Sequence, residues 1–177
     1  MNITLRRCIP LLALLAAGCA THIYAKDETI KPTKVNFRHF QNPVMKPLGW
    51  SAEGEVDDKV VRRVEQVLFT CMKTVFPNIR PFDAAEVAGM QSVLVLEPSI
   101  VDMKKVNVAE RIFFGPAAGS SAGLLKVAFV DEKGKDVLAE PIFYAKANAW
   151  GSPFGIEDNA MLSRLPNEAC DYARYNY

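Results

Sequence analysis

Asp57 to Phe76 reads DDKVVRRVEQVLFTCMKTVF, and this stretch decides the fold. Val60, Val64, Val67, Leu68, Cys71, Met72 and Val75 recur at spacings of three and four. Arg62, Arg63, Glu65, Gln66, Lys73 and Thr74 fall between them. An apolar stripe with a 3.6-residue period marks a helix that buries one face. Asp57 and Asp58 stand in the first turn, where the helix dipole favours negative charge, and Pro77 stops the helix. Such a stripe must be covered by something apolar, and the chain on either side supplies it.

Downstream, Ser92-Val-Leu-Val-Leu-Glu97 is a continuous apolar run, the pattern of a central strand, with room to continue past Pro98 through Ile100 and Val101. Leu124 to Asp131 is a second strand, and Asp131-Glu-Lys-Gly134 turns it back. Val137 to Trp150 reads as the return strand, with Phe143, Ala145, Ala147 and Ala149 on a small apolar face and Tyr144, Lys146, Asn148 and Trp150 on the other. Pro141 cannot donate to a ladder and marks an edge or a bulge. A second helix is expected from Glu157 to about Tyr175, with Pro166 breaking it or opening its last segment. Upstream, Lys34 to Phe40 alternates as a short strand that places His39 beside Val35 and Phe37, and residues 43–54 read as a loop around Trp50. The order β-α-β-β-β-α predicts an α+β two-layer sandwich, a mostly antiparallel sheet with two helices on one face.

The first nineteen residues carry different information. Arg6 and Arg7 form a basic head, Ile9 to Ala17 an apolar run, and Leu14-Leu-Ala-Ala-Gly-Cys19 closes it on small residues before a cysteine. The run is too short to span a bilayer and reads as a secretory leader. It resembles a bacterial lipobox, with Ala16 where leucine is usual, and implies acylation of Cys19. By resemblance to enterobacterial sorting, Ala20 after the cysteine implies the outer membrane, with the protein facing the periplasm. The alternative is cleavage after Ala20 or Ala25, which would leave a soluble periplasmic protein. The expected organisation is a leader over residues 1–18, a flexible tether over 19–33 and one domain over 34–177.

Without the leader, 159 of the 177 residues remain, enough for one ordinary core. They carry 19 basic and 20 acidic side chains, since the leader removes two arginines from 21. That balance gives no electrostatic footprint for nucleic acid. Of the four cysteines, Cys8 leaves with the leader and Cys19 takes the lipid. Cys71 and Cys170 remain as an even pair in an oxidising compartment, and a disulfide between them is expected; two buried free thiols are the alternative.

No catalytic set is complete. Gly119-Ser120-Ser121-Ala122-Gly123 matches G-x-S-x-G, but both histidines, His22 and His39, precede it, and a nucleophile without a base does not work. Gly115, Gly119 and Gly123 also have helix-packing spacing, which Pro116, Ser120 and Ser121 weaken. No lysine follows them as a phosphate loop requires. His39 has no partner at metal-ligand spacing, and the carboxylate pairs Asp57-Asp58 and Glu157-Asp158 fall at helix starts, where the dipole accounts for them. No cofactor or metal is expected. Trp50, Trp150 and Phe154 are the aromatics that a ligand groove would use, against the plainer account of edge packing.

From Arg111 through Gly115, Gly119-Ser-Ser, the strand to Asp131, Lys133-Gly134-Lys-x-Val-Leu138 and the final helix, the chain resembles a set of uncharacterised bacterial envelope lipoproteins of the domain-of-unknown-function type. The resemblance spans about residues 90–175 and departs at Lys133, where threonine is usual. Its motifs are glycine turns and a hairpin, so it implies fold and envelope placement and transfers no catalytic residue. These observations lead to a non-catalytic, lipid-anchored adaptor of an envelope assembly, partnered by the bilayer and an envelope protein. A periplasmic module binding a glycan, lipid or peptide is the alternative.

Overall fold

The computed structural model describes residues 30–53, 57–105, 120–147 and 156–177. The main helix, α1 (Asp58–Val75), forms where its stripe lies, with Val60, Val64, Leu68, Met72 and Val75 buried. Asp57 is its N-cap and accepts from the N–H groups of Lys59 and Val60.

One mixed sheet carries everything else. Its strands are β1 (Asn42–Met45), β2 (Gly49–Trp50), β3 (Arg80–Pro81), β4 (Val93–Lys104), β5 (Ala122–Asp131), β6 (Asp136–Ala139) and β7 (Ile142–Lys146). The spatial order is β3-β1-β4-β5-β6, with β2 added to β4 and β7 to β5. The β5, β6 and β7 pairings are antiparallel, as expected, while β1 runs parallel to β3 and β4, and β2 parallel to β4. A four-residue helix, α2 (Ala84–Val87), and a long one, α3 (Ile156–Tyr175), complete the fold. α1 and α3 lie on one face of the sheet, giving the α+β two-layer sandwich.

Several sequence expectations move. The stretch from Lys34 to Phe40 is not a strand: Phe37–His39 is a 3-10 turn, capped by Asn36, whose side chain accepts from the N–H of Arg38 at 2.8 Å. One residue rather than an alternating face decides it, because Phe37 is fully buried and stacks on Phe129 at 4.6 Å. His39 is exposed, not packed on an apolar face. The expected loop after it contains β1 and β2. Pro43 is tolerated there because β3 reaches only Val44 and Met45, so no ladder on that side needs its missing N–H. Pro98 has a similar explanation. It falls between Leu96, where β1 stops pairing with β4, and Ser99, where β2 begins.

The return strand divides at Glu140-Pro141 into β6 and β7, and the Pro141 carbonyl accepts from the N–H of Val127 at 3.1 Å. Pro166, in contrast, does not divide the final helix; α3 runs through it. Leu165, Ala169, Cys170, Tyr172 and Ala173 are buried around it, and that packing outweighs the one lost backbone bond. Cys71 and Cys170 are joined with their Cα atoms 6.1 Å apart, tying α1 to α3. Residues ahead of 34 touch the final helix: Thr33 donates its N–H to the Asn176 side chain at 2.9 Å and Lys31 accepts from the Tyr172 hydroxyl at 3.0 Å.

The core lies between the sheet and the two helices. Leu94, Leu96, Ile100, Leu125, Val127, Phe129 and Phe143 point into it from the sheet. The small face expected for the last strand is present: Phe143, Ala145 and Ala147 are buried, while Lys146 is exposed. On the far face, Val44, Val87, Val93 and Val95 form a second, small cluster under α2.

Candidate functional site

Of the aromatic set chosen from the sequence, only Trp50 lies among the described residues. Trp150 and Phe154 lie outside the described residues, as do Cys19, Gly115 and Gly119. Trp50 sits on β2 in register with Ile100, packed against the main core. Its Nε1 is buried without a hydrogen-bond partner among the described residues. Ser121 of the G-x-S-x-G match is fully buried. The second glycine of that match has a packing role. A Cβ on Gly123 would stand 2.9 Å from Met103 Cε and 3.2 Å from Leu165 Cδ1, so the glycine admits α3 to the sheet. Among the described residues no cluster of His, Cys, Asp and Glu could hold a metal ion, and no helix is long and apolar enough to cross a membrane.

What the fold does build is a groove of about 450 Å³ where α1 passes the β1–β3 edge. Phe69, Phe82, Pro47, Pro81 and Met45 make its walls, and Lys46, Arg62, Glu65 and Gln66 its polar rim. On α1, Arg62, Glu65, Gln66 and Phe69 follow one another at three, one and three residues, so they share one flank of the helix beside the buried stripe. Pro47 and Pro81 bring rigid apolar surface to the opposite wall.

The charges on the rim are unequally engaged. Lys46 Nζ is 2.6 Å from Glu97 Oε1 and 5.1 Å from the centre of the Phe82 ring. Glu65 Oε1 accepts from the N–H of Leu48 at 3.1 Å. Lys73, one turn beyond the groove, lies 4.9 Å over Phe69. Arg62 is exposed and has no ion pair or hydrogen bond among the described residues.

The shifted titrations lie elsewhere. Asp57 is held below the usual carboxylate range, first by the Lys105 ammonium at 2.7 Å and then by the N–H groups of Val60 and Lys59, against partial desolvation. Burial pushes the Glu168 carboxyl and the Tyr172 hydroxyl up, with Asp171 adding to the first and Arg164 opposing it. None of the three lines the groove. Among the described residues the arrangement suits binding through apolar contact and the Arg62 cation, and it presents no nucleophile paired with a base.

Sequence reasoning missed this groove. Its signal was Phe69, the one large apolar residue on α1 that the stripe at 60, 64, 67, 68, 71, 72 and 75 leaves out. Its other wall comes from Pro47, Pro81 and Phe82, which only tertiary folding brings to α1.

No family model matches the chain, and no curated protein matches it. Solved structures do. A variant of PelC from Paraburkholderia phytofirmans, solved as a dodecamer, superposes over 81% of this chain and 95% of its own, with a TM-score of 0.58 and 10% identity. The fold is similar to that of PelC. Lipoprotein GNA1162 from Neisseria meningitidis is a looser neighbour, with a TM-score of 0.41, 13% identity and coverage of 74% and 97%. XCC0632 from Xanthomonas campestris, a DUF330 protein, has a TM-score of 0.44, 11% identity and coverage of 84% and 96%. At these identities the PelC likeness is one of fold, and the other two superpose too loosely to carry more.

Proposed function

We propose that the chain is a non-catalytic lipoprotein, held by an acylated Cys19 on the periplasmic side of the outer membrane. There it would serve as a subunit or adaptor of an envelope assembly that includes further copies of itself. The observation that carries this reading is the leader closing on Leu14-Leu-Ala-Ala-Gly-Cys19, ahead of a chain with no complete catalytic set. The PelC likeness supports the assembly part, because that protein was solved as a dodecamer. The near balance of acids and bases in the mature chain argues against a role on nucleic acid.

The test is the intact mass of the protein extracted from membranes. The expected mass is that of a chain starting at Cys19 with three acyl chains, lost on Cys19→Ser. A mass for an unmodified chain starting at Thr21 or Lys26 would overturn the anchor. Crosslinked envelopes should return a reproducible partner or higher copies of the chain, and neither appearing would overturn the assembly role. The groove favours a second reading, a periplasmic module for a glycan, lipid or peptide. That reading requires Phe69→Ala to abolish binding of a ligand that wild type binds.

A further inference from the structure

The segment that leads into the domain is fastened at one place. The Tyr172 hydroxyl donates to the Lys31 carbonyl at 3.0 Å, and Thr33 gives its N–H to the Asn176 side chain at 2.9 Å. Phe37 gives its own N–H to the Asn176 carbonyl at 2.8 Å, and the Arg38 guanidinium lies 5.1 Å over the Tyr177 ring. Residues 31–38 therefore run along the end of α3. Two independent features mark this corner. Four large hydrophobic side chains are exposed among the described residues, and two of them are here, Tyr175 at 79% and Ile30 at 45%. Tyr175 is the last residue of α3, one turn on from Tyr172, and Ile30 directly precedes Lys31. The second feature is charge. Residues 30–39 carry Lys31, Lys34 and Arg38, all exposed, and no acid. None of these cations has an ion pair among the described residues. Asp171, the acid nearest Tyr175 in the chain, is held by Arg174 at 2.5 Å.

We propose that this corner, Tyr175 and Ile30 beside Lys31, Lys34 and Arg38, lies on the headgroups of an anionic phospholipid bilayer. A phenol ring prefers the boundary between hydrocarbon and water, and cations beside it attract lipid phosphates. The occupant is a bilayer because of charge complementarity and because of where the preceding chain leads. Ten residues, 20–29, separate Ile30 from Cys19. A flexible chain of that length has an r.m.s. span of about 17 Å, whereas a domain of this size is about 40 Å across. An acylated Cys19 therefore brings this corner to the bilayer more often than the far side of the domain, at an effective concentration of about millimolar. Weak surface affinity is then enough to fix how the domain stands. The proposal rests on the anchoring argued above and adds a second contact to it.

The experiment removes the anchor and keeps the surface. The processed chain with Cys19→Ser is sedimented with vesicles of phosphatidylethanolamine containing about one-third phosphatidylglycerol, and with vesicles of phosphatidylcholine. Partition into the anionic vesicles alone is expected, falling as salt is raised. K31E/K34E should weaken it by at least about tenfold, because each cation near the surface contributes about fivefold. Tyr175→Ser should weaken it several-fold. K59E/R63E makes the same change of charge at two exposed positions on α1 and should stay within about twofold of wild type. Every substituted position is exposed, so the circular dichroism of all variants should match that of wild type.

An equal loss in K59E/R63E overturns the proposal, because overall charge and not this corner would then govern binding. A wild-type chain that ignores the anionic vesicles overturns it as well, and leaves the anchor standing if the membrane-extracted protein carries its acyl chains. An unacylated native mass, with partition still lost in K31E/K34E, overturns the anchor and keeps the surface.

Discussion

The two faces of the sheet are built on different terms. On the helix-covered face, Leu94, Leu96, Ile100, Leu125, Val127, Phe129 and Phe143 are almost wholly removed from water, and α1 and α3 are joined across them by Cys71–Cys170. On the other face the described residues form a small cluster of Val44, Val87, Val93 and Val95 near one end, with Phe82, Met90 and Val130 packed against it. Beyond that cluster the face carries the Lys46–Glu97 and Lys126–Glu140 pairs and the Ser51–Ser99 hydrogen bond. Burial of apolar area is the dominant favourable term in folding, and exposed ion pairs contribute little. The domain's stability should therefore reside in the helix layer.

Four measurements would break or sharpen this contrast. The largest effect is expected from the bridge. Its cysteines are 99 residues apart, so replacing both by serine should lower unfolding free energy by about 4 to 5 kcal/mol in the chain-entropy treatment. Urea denaturation of the two forms reads it directly. Equal midpoints would show that helix-layer packing alone holds α3.

Phe129→Ala comes next, at about 4 kcal/mol, because the ring is fully buried between Phe37 and Tyr172. A loss below about 1 kcal/mol would place the core elsewhere. Asp57→Ala removes the α1 cap and should cost about 1 kcal/mol at neutral pH. The sign with pH follows from the lowered pKa. The charged form is favoured in the fold, so the contribution is present above the ordinary carboxylate value and fades as pH falls through the folded one. Wild type and Asp57→Ala should thus converge in acid, and a gap that widens there would contradict the assignment. Lys126→Ala, on the other face, should cost about 0.5 kcal/mol or less, since Glu140 is half exposed.

The same contrast explains what was legible in the sequence. Elements that bury a periodic apolar face were clear: α1 from its stripe, β4 and β5 from their runs, and the inner side of β7 from Phe143, Ala145 and Ala147. Elements held by single long-range contacts were not. Phe37 looked like one position of an alternating strand because Phe129, its stacking partner, is remote in sequence. β1 was hidden by Pro43, whose missing N–H matters only if a neighbour needs it. Pro166 pointed to a helix break that tertiary burial overrides. The pairing of Cys71 with Cys170 followed from counting cysteines and from their helical positions. The groove did not, because Phe69 and Phe82 become neighbours only when β3 lies against β1.

The hydrogen bonds between residues 31–37 and 172–177 have a mechanical consequence. Thr33 and Phe37 donate their N–H groups to Asn176, Lys31 receives the Tyr172 hydroxyl, and Arg38 lies over the Tyr177 ring. A pull arriving along the segment that precedes the domain would pass first into this clasp, then along α3, and through Cys170 into α1. The strain would be shared by the two helices and, through Thr33 on the Leu138 carbonyl and Phe37 on Phe129, by β5 and β6.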